Sequence, residues 1–371
     1  MFAVSKLLNA DYNTQEFTKE QMLACLSQRL PIEFNSTTYA SQIAEMKQVE
    51  GHLRVCLKVD ASFESMETVS PSEPLLSEAA YVVMGRKSFD PVQAFKSILD
   101  GFAVHKGDRG EFLVLLLFTM ARDEAVGPPR LKQPNRRFFK LASFVCGNLF
   151  NPSACVGTAS ALKRLEQDFP EAMMHFNHFV KFHDFSSVNK TKLLYLTTRG
   201  AGGLCANSQD AIDTINIFLK SGTKITIDNI GFILCQVKND SVYSQYPKKK
   251  YFDSMDPYRL SILDEADKAV PLIKIFFALA AKTPSFHVTR HNPSPEYDAV
   301  VYEIWISGLS QDFLAPIKDN HQAIIWESLL QASYGWKDIY KAETTAARDL
   351  RKSMNPGAAD DEAHWSSWIK D

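Results

Sequence analysis

The chain carries almost no net charge and no paired-cysteine signature, and each lack closes off a class of function. Lysine and arginine number 41 against 43 aspartate and glutamate, a formal net charge of −2. Binding nucleic acid through a global positive field is therefore excluded, and any such contact falls to a local basic patch. The six cysteines, Cys25, Cys56, Cys146, Cys155, Cys205 and Cys235, lack CxxC spacing and read as reduced core thiols of an intracellular, cytoplasmic or nuclear chain. Apolar runs such as 112–118 are far too short to span a bilayer, and the opening MFAVSKLLNADY has no long hydrophobic stretch of a secretory signal. The glycine-rich RGAGG at 199–203 lacks the Gly-Lys-Ser/Thr ending of a P-loop, and no GxGxxG follows a strand, so nucleotide hydrolysis has no support. There is no HEXXH, internal repeat or long low-complexity tract.

What the chain does have is an apolar fraction of 45% over 371 residues, enough for one large or two ordinary domains. Its most informative stretch is 205–240, where two extended, mostly apolar runs meet at a turn around Ser221 and Gly222. The first run presents Asp213 and the second ends Gln236-Val237-Lys238. Strand side chains alternate, so Gln236 and Lys238 share a face with Phe232 and Leu234, while Ile233, Cys235 and Val237 face the other way. A carboxylate and an amine at the rim of a buried hairpin need partners, solvent or a metal, because burying even a neutral polar group unpaired costs roughly 2–7 kcal/mol. That constellation reads as a metal-dependent nuclease centre. A plainer account is a strand emerging into solvent, with Asp213 paired to Lys238.

The order of an acid, a strand turn and Gln-x-Lys closing a β-branched and aromatic run resembles the PD-(D/E)XK superfamily of restriction-endonuclease-like folds. The phrases RGAGGLCANSQDAID and FILCQVKN also resemble uncharacterised fungal proteins, some of them transposon- or effector-associated. The nuclease resemblance covers about 40 residues. It implies a mixed α/β fold in which an acid on the second core strand and Glu/Gln-x-Lys on the third hold Mg²⁺ or Mn²⁺ and the attacking water. Asp213 and Gln236 would then be metal ligands, and Lys238 would sit at the water or the phosphate. Gln236 stands where glutamate is usual and removes one negative charge, leaving a catalytically inactive module that binds nucleic acid or protein as the alternative. The phrase GDRGE resembles the start of a family helix whose glutamate points at the metal, which would make Glu111 the remaining acid. Asp108 and Glu111 also fit a capping box that stabilises its own helix.

Along the chain, 1–126 reads as mainly helical, with helices over 14–30, 75–84 and from Pro91, and a buried helix at 107–122. Residues 41–58 fit a helix, or a helix running into a short strand. Residues 127–199 read as a helical insertion or linker, 200–335 as the nuclease-like core, and 355–371 as a flexible tail. Core strands are expected at 203–207, in PLIKIFFALAA and in YDAVVYEIWIS, with helices in LSILDEADKAV and at 320–333. Two basic stretches, Arg130, Arg136 and Arg137 before a Phe pair, and Lys248, Lys249 and Lys250 after the hairpin, are the candidate nucleic-acid contacts; solvated faces explain them equally. His175, His178 and His183 share one helical face and either offer a zinc site without a matching acid or cysteine, or pack among Phe176, Phe179 and Phe182.

Overall fold

Nine residues, IGFILCQVK, form the longest strand among the described residues, and the rest of the sheet is built outward from it. A computed structural model describes residues 1–34, 39–62, 66–99, 106–129, 138–151, 156–207, 209, 211–243, 246–267, 269–295 and 297–331. In chain order their strands are β1 (Val55–Val59), β2 (Met66–Val69), β3 (Phe139–Lys140), β4 (Met173–Met174), β5 (His178–Lys181), β6 (Ala201–Leu204), β7 (Thr214–Leu219), β8 (Ile230–Lys238), β9 (Leu272–Ala278), β10 (Ser285–His291) and β11 (Val301–Ser307). Eleven α-helices accompany them, so the described chain is mixed α/β.

β1 and β2 form a separate two-stranded ribbon. The other nine strands make one mixed sheet. β6, β7 and β8 are an antiparallel meander, β9 lies parallel to β8, β11 parallel to β9, and β10 closes that edge antiparallel to β11. Beyond β7 the sheet divides: Thr214 and Ile215 pair with β6, whereas Phe218 and Leu219 pair with β4. Strands buried on both faces read as near-continuous apolar runs. β9, LIKIFFA, is buried at all seven positions. On one face Ile233, Cys235, Val237, Ile275 and Phe277 join the core of the N-terminal helices; on the other Phe232, Leu234, Leu272, Phe276 and Trp305 form a second core.

The helix Lys106–Val126 is the pillar of the first core, with every residue from Leu113 to Phe118 buried. An apolar run closed on all sides needs neighbours on all sides, which the sheet and surrounding helices provide. Buried charges lock these parts together. Arg29 grips Asp123 with both terminal nitrogens, at 2.5 and 2.7 Å, while Arg122 donates to Asp123, Glu78 and the Phe176 carbonyl, at 3.1, 3.0 and 2.9 Å. The Tyr81 ring lies beneath both guanidiniums, at 5.7 and 4.6 Å. Met1–Leu330 is one unit; of the second, Gln331–Asp371, only Gln331 is described, and the expected tail 355–371 falls outside the described residues.

Several expectations need correction. Residues 170–184 are not helical but contain β4 and β5: the aromatic and histidine spacing also fits strand alternation, and the sheet's need for partners decides. The hairpin of β7 and β8 closes not at a tight turn but through residues 220–229, held by Asn229, whose side chain donates to the Ser221 and Lys224 carbonyls at 2.8 Å each. LSILDEADKAV gives only turns and a short 3₁₀ segment, Glu265–Asp267, and the lysine run starts the helix Lys249–Ser254. For 41–58 the structure takes the second of the two alternatives, the helix Tyr39–Gly51 running into the short strand β1, whose partner β2 was not expected.

Candidate metal centre at the end of β8

Asp213 sits one residue before β7, whose first paired residue, Thr214, lies opposite Cys235, and two hydrogen bonds to β8 fix it beside the end of that strand. The Asp213 N–H donates to the Cys235 carbonyl at 2.7 Å, and the Asp213 carbonyl accepts from Cys205 at 2.8 Å. Its carboxylate Oδ2 accepts from the Val237 N–H at 2.5 Å. Pairing between Asp213 and Lys238 is not found: among the described residues Lys238 has no ion pair.

The start of the helix Lys106–Val126 meets this strand end. Gly110 packs so closely that a Cβ there would lie 3.0 Å from Asn239 Cβ and 3.3 Å from Val237 Cγ1. Glu111 follows directly. The helix begins before Asp108, so Asp108 is not an N-cap and the capping-box account of Glu111 does not hold. Burial pushes the Glu111 carboxyl up to about 8, and the charges of Asp213 and Asp108 add to that, while Lys181 and Lys238 oppose it. Burial likewise raises Asp213, against the pull of Lys238 and the Val237 N–H. Positions 111, 213 and 238, far apart in sequence, thus share one electrostatic neighbourhood.

Gln236 is 7% exposed, and its Oε1 has no hydrogen-bond partner among the described residues. A buried carbonyl oxygen left this way costs free energy that a cation or water would recover. Hard cations such as Mg²⁺ take oxygen ligands and usually only one or two protein carboxylates, which matches Asp213, Glu111 and a neutral Gln236 oxygen. Among the described residues no three His, Cys, Asp or Glu side chains are grouped to hold a metal, so any such site depends on that amide.

Two contributors escaped sequence reasoning. Lys181, at the end of β5, acts on Glu111 and binds Glu33 at 2.6 Å, but became visible only once β5 was a strand. Asn239, buried against Gly110, stood in plain view as the residue after the Gln-x-Lys motif. Other candidates do not join the centre. His178 spends one nitrogen on Ser72, at 2.7 Å, and the other on Asn177, at 2.6 Å, and burial beside Arg29, Arg199 and Arg122 lowers it to about 3. His175 stacks on Phe138 at 4.5 Å and His183 is exposed, so the three histidines neither share a helix nor converge. Lys248, Lys249 and Lys250 are exposed; Arg130, Arg136 and Arg137 lie outside the described residues. Cys25, Cys205 and Cys235 are buried free thiols, but Cys56 is exposed on β1. A cavity of about 760 Å³ between the β1–β2 ribbon and β5 borders the centre at Lys181 but is not lined by Asp213, Gln236 or Lys238. Its wall sets Glu33, Glu45, Asp60 and Glu67 against Arg54, Lys58 and Lys181, so it offers a polyanion no basic excess.

A family model described as Domain of unknown function (DUF8736) matches residues 13–266. The chain belongs to this family. The DUF8736 match takes in Glu111, Asp213, Gln236 and Lys238 and ends before β9. No curated protein and no solved structure matches the chain. No helix among the described residues is long and apolar enough to cross a membrane.

Proposed function

We propose that this DUF8736 protein hydrolyses phosphodiester bonds of nucleic acid with the help of a divalent metal. The observation that carries the reading is the meeting of Glu111, Asp213 and Lys238 at the end of β8, beside the unpartnered Oε1 of Gln236. An antiparallel meander followed by a parallel strand, with the acid before the second strand and Gln-x-Lys closing the third, supports a restriction-endonuclease-like core. Asp213, Glu111 and the Gln236 amide oxygen would hold Mg²⁺ or Mn²⁺, which when bound polarises the phosphodiester and acidifies water.

The protein's own groups supply the rest. The Val237 N–H fixes one oxygen of Asp213, and the other would be the one offered as a ligand. The amine of Lys238, outside any ion pair among the described residues, orients the nucleophilic water and offsets charge developing on the phosphorane. Glu111, which burial holds protonated near neutral pH, would have to release its proton to serve as a ligand.

A second reading, an inactive nuclease-fold module, is favoured by Gln236 and by the count of two carboxylates. Incubating labelled single- and double-stranded DNA and RNA with the protein in Mg²⁺, Mn²⁺ or EDTA separates the two. Metal-dependent cleavage that vanishes in Lys238→Ala establishes hydrolysis; binding without cleavage in either metal selects the module.

A further inference from the structure

One row of side chains crosses the sheet from the metal centre to its far edge. Gln236 of β8 lies beside Phe276 of β9, Phe276 beside Trp305 of β11, and Trp305 beside His287 of β10. Asp213 stands at the near end of the row and His287 at the far end. At about 4.8 Å per strand, the four steps from β7 to β10 span about 19 Å. Phe276 and Trp305 stack at 4.4 Å, and Tyr251 lies over Phe276 at 4.8 Å. The connection after β8 thus crosses this face, with Tyr243 above β9 and Tyr246 reaching β10, where its ring lies 6.2 Å from that of His287.

Tyr251 and Phe276 are packed inward, but Tyr246 is 62% exposed and backed by a second ring. Next to it are the exposed Lys248, Lys249 and Lys250, none of which has an ion pair among the described residues; Lys250 sits 5.0 Å over Tyr251. An exposed aromatic face beside unpaired lysines is how proteins hold single strands, by stacking a base and tracking its phosphates. Bases within a duplex are already stacked on one another and would leave such a ring unused.

We infer that the DUF8736 protein takes a single-stranded nucleic acid, led from the carboxylates over the outside of the connection after β8 toward β10, with one base stacked on Tyr246 and the backbone on Lys248–Lys250. The inference rests on nucleic acid being the substrate of the site, and places a contact several nucleotides from the cut bond.

Fluorescence anisotropy tests it, with short labelled single strands of DNA and RNA and the matching duplexes, in EDTA and over a range of salt. The wild-type protein should prefer single strands. Tyr246→Ala should weaken them about tenfold while Tyr246→Phe binds as wild type does. Replacing Lys248, Lys249 and Lys250 together with glutamine should flatten the log–log salt slope by about 2. Equal single-strand affinity in wild type and Tyr246→Ala, a preference for duplex, or no binding to any strand would overturn the inference. Because metal is absent, Tyr246-dependent binding by a protein that never cleaves upholds the inference and removes the hydrolysis. Cleavage alongside Tyr246-independent binding does the reverse.

Discussion

Asp213 Oδ2 takes its hydrogen bond from the backbone N–H of Val237, not from the amine of Lys238 one residue on. The carboxylate is thereby fixed by the strand it serves, and the lysine is left available. The two residues should respond differently to removal. Lys238→Ala should change stability by about 1 kcal/mol or less, as for a side chain outside any ion pair that acts on its carboxylates only through its charge, yet cut cleavage about 10²–10³-fold. Asp213→Ala also strips the Val237 N–H of its acceptor and should cost about 1–3 kcal/mol in urea melts. Equal stability losses in the two variants would show that Lys238 has a structural role.

Glu111 predicts a pH dependence with a definite sign. Its carboxyl stands at about 8 in the folded chain against an ordinary 4.5, so folding binds a proton between those values. The stability this gives is complete below pH 4.5 and is lost as pH rises through 8. Glu111→Gln, which cannot ionise, should match wild type at pH 4.5 and melt about 3 °C higher at pH 9 in EDTA. Calorimetry in buffers of different ionisation enthalpy should also show wild type releasing about one proton on binding Mg²⁺ at neutral pH.

Restoring a glutamate at position 236 offers a sharper probe of the metal. Gln236→Glu adds a third carboxylate beside two that burial already disfavours. Without metal the variant should melt below wild type at pH 8, and saturating Mg²⁺ should more than recover the loss. Its Mg²⁺ affinity should rise about tenfold, a gain of about 1.4 kcal/mol. An unchanged affinity would mean that the Gln236 side chain does not face the ion.

Away from the centre, Arg122 ties helix to sheet through Glu78, Asp123 and the Phe176 carbonyl. Arg122→Ala leaves Glu78 buried with one partner fewer and should cost about 3–5 kcal/mol. A double variant that also carries Glu78→Gln should lose less than the sum of the singles, because the two share one interaction.

The hairpin that carries the centre was legible because period-two alternation fixes which side chains share a face. That rule put Gln236 and Lys238 together and opposite Val237, while the place of Asp213 is set by its hydrogen bonds to Cys235 and Val237. β9 and β11 were legible as apolar runs. β10, SFHVTRH, was not, because an edge strand buries little and its sequence can be polar. Residues 173–181 satisfied both helical and strand periods, and only the unpaired edges of β6 and β7 choose between them. The reach of Glu111 to the hairpin depends on Gly110 meeting Val237 and Asn239, a contact across more than a hundred residues that no local pattern encodes.

The helix Lys106–Val126 leaves the ribosome long before the sheet that covers it. β9 ends at residue 278, 152 residues after Val126 (278 − 126). At about 5–20 residues per second the all-apolar turns of that helix wait about 8–30 s for their cover. During synthesis this protein therefore presents a sticky hydrophobic cylinder for many seconds, and its yield in a cell should depend on whatever shields nascent chains.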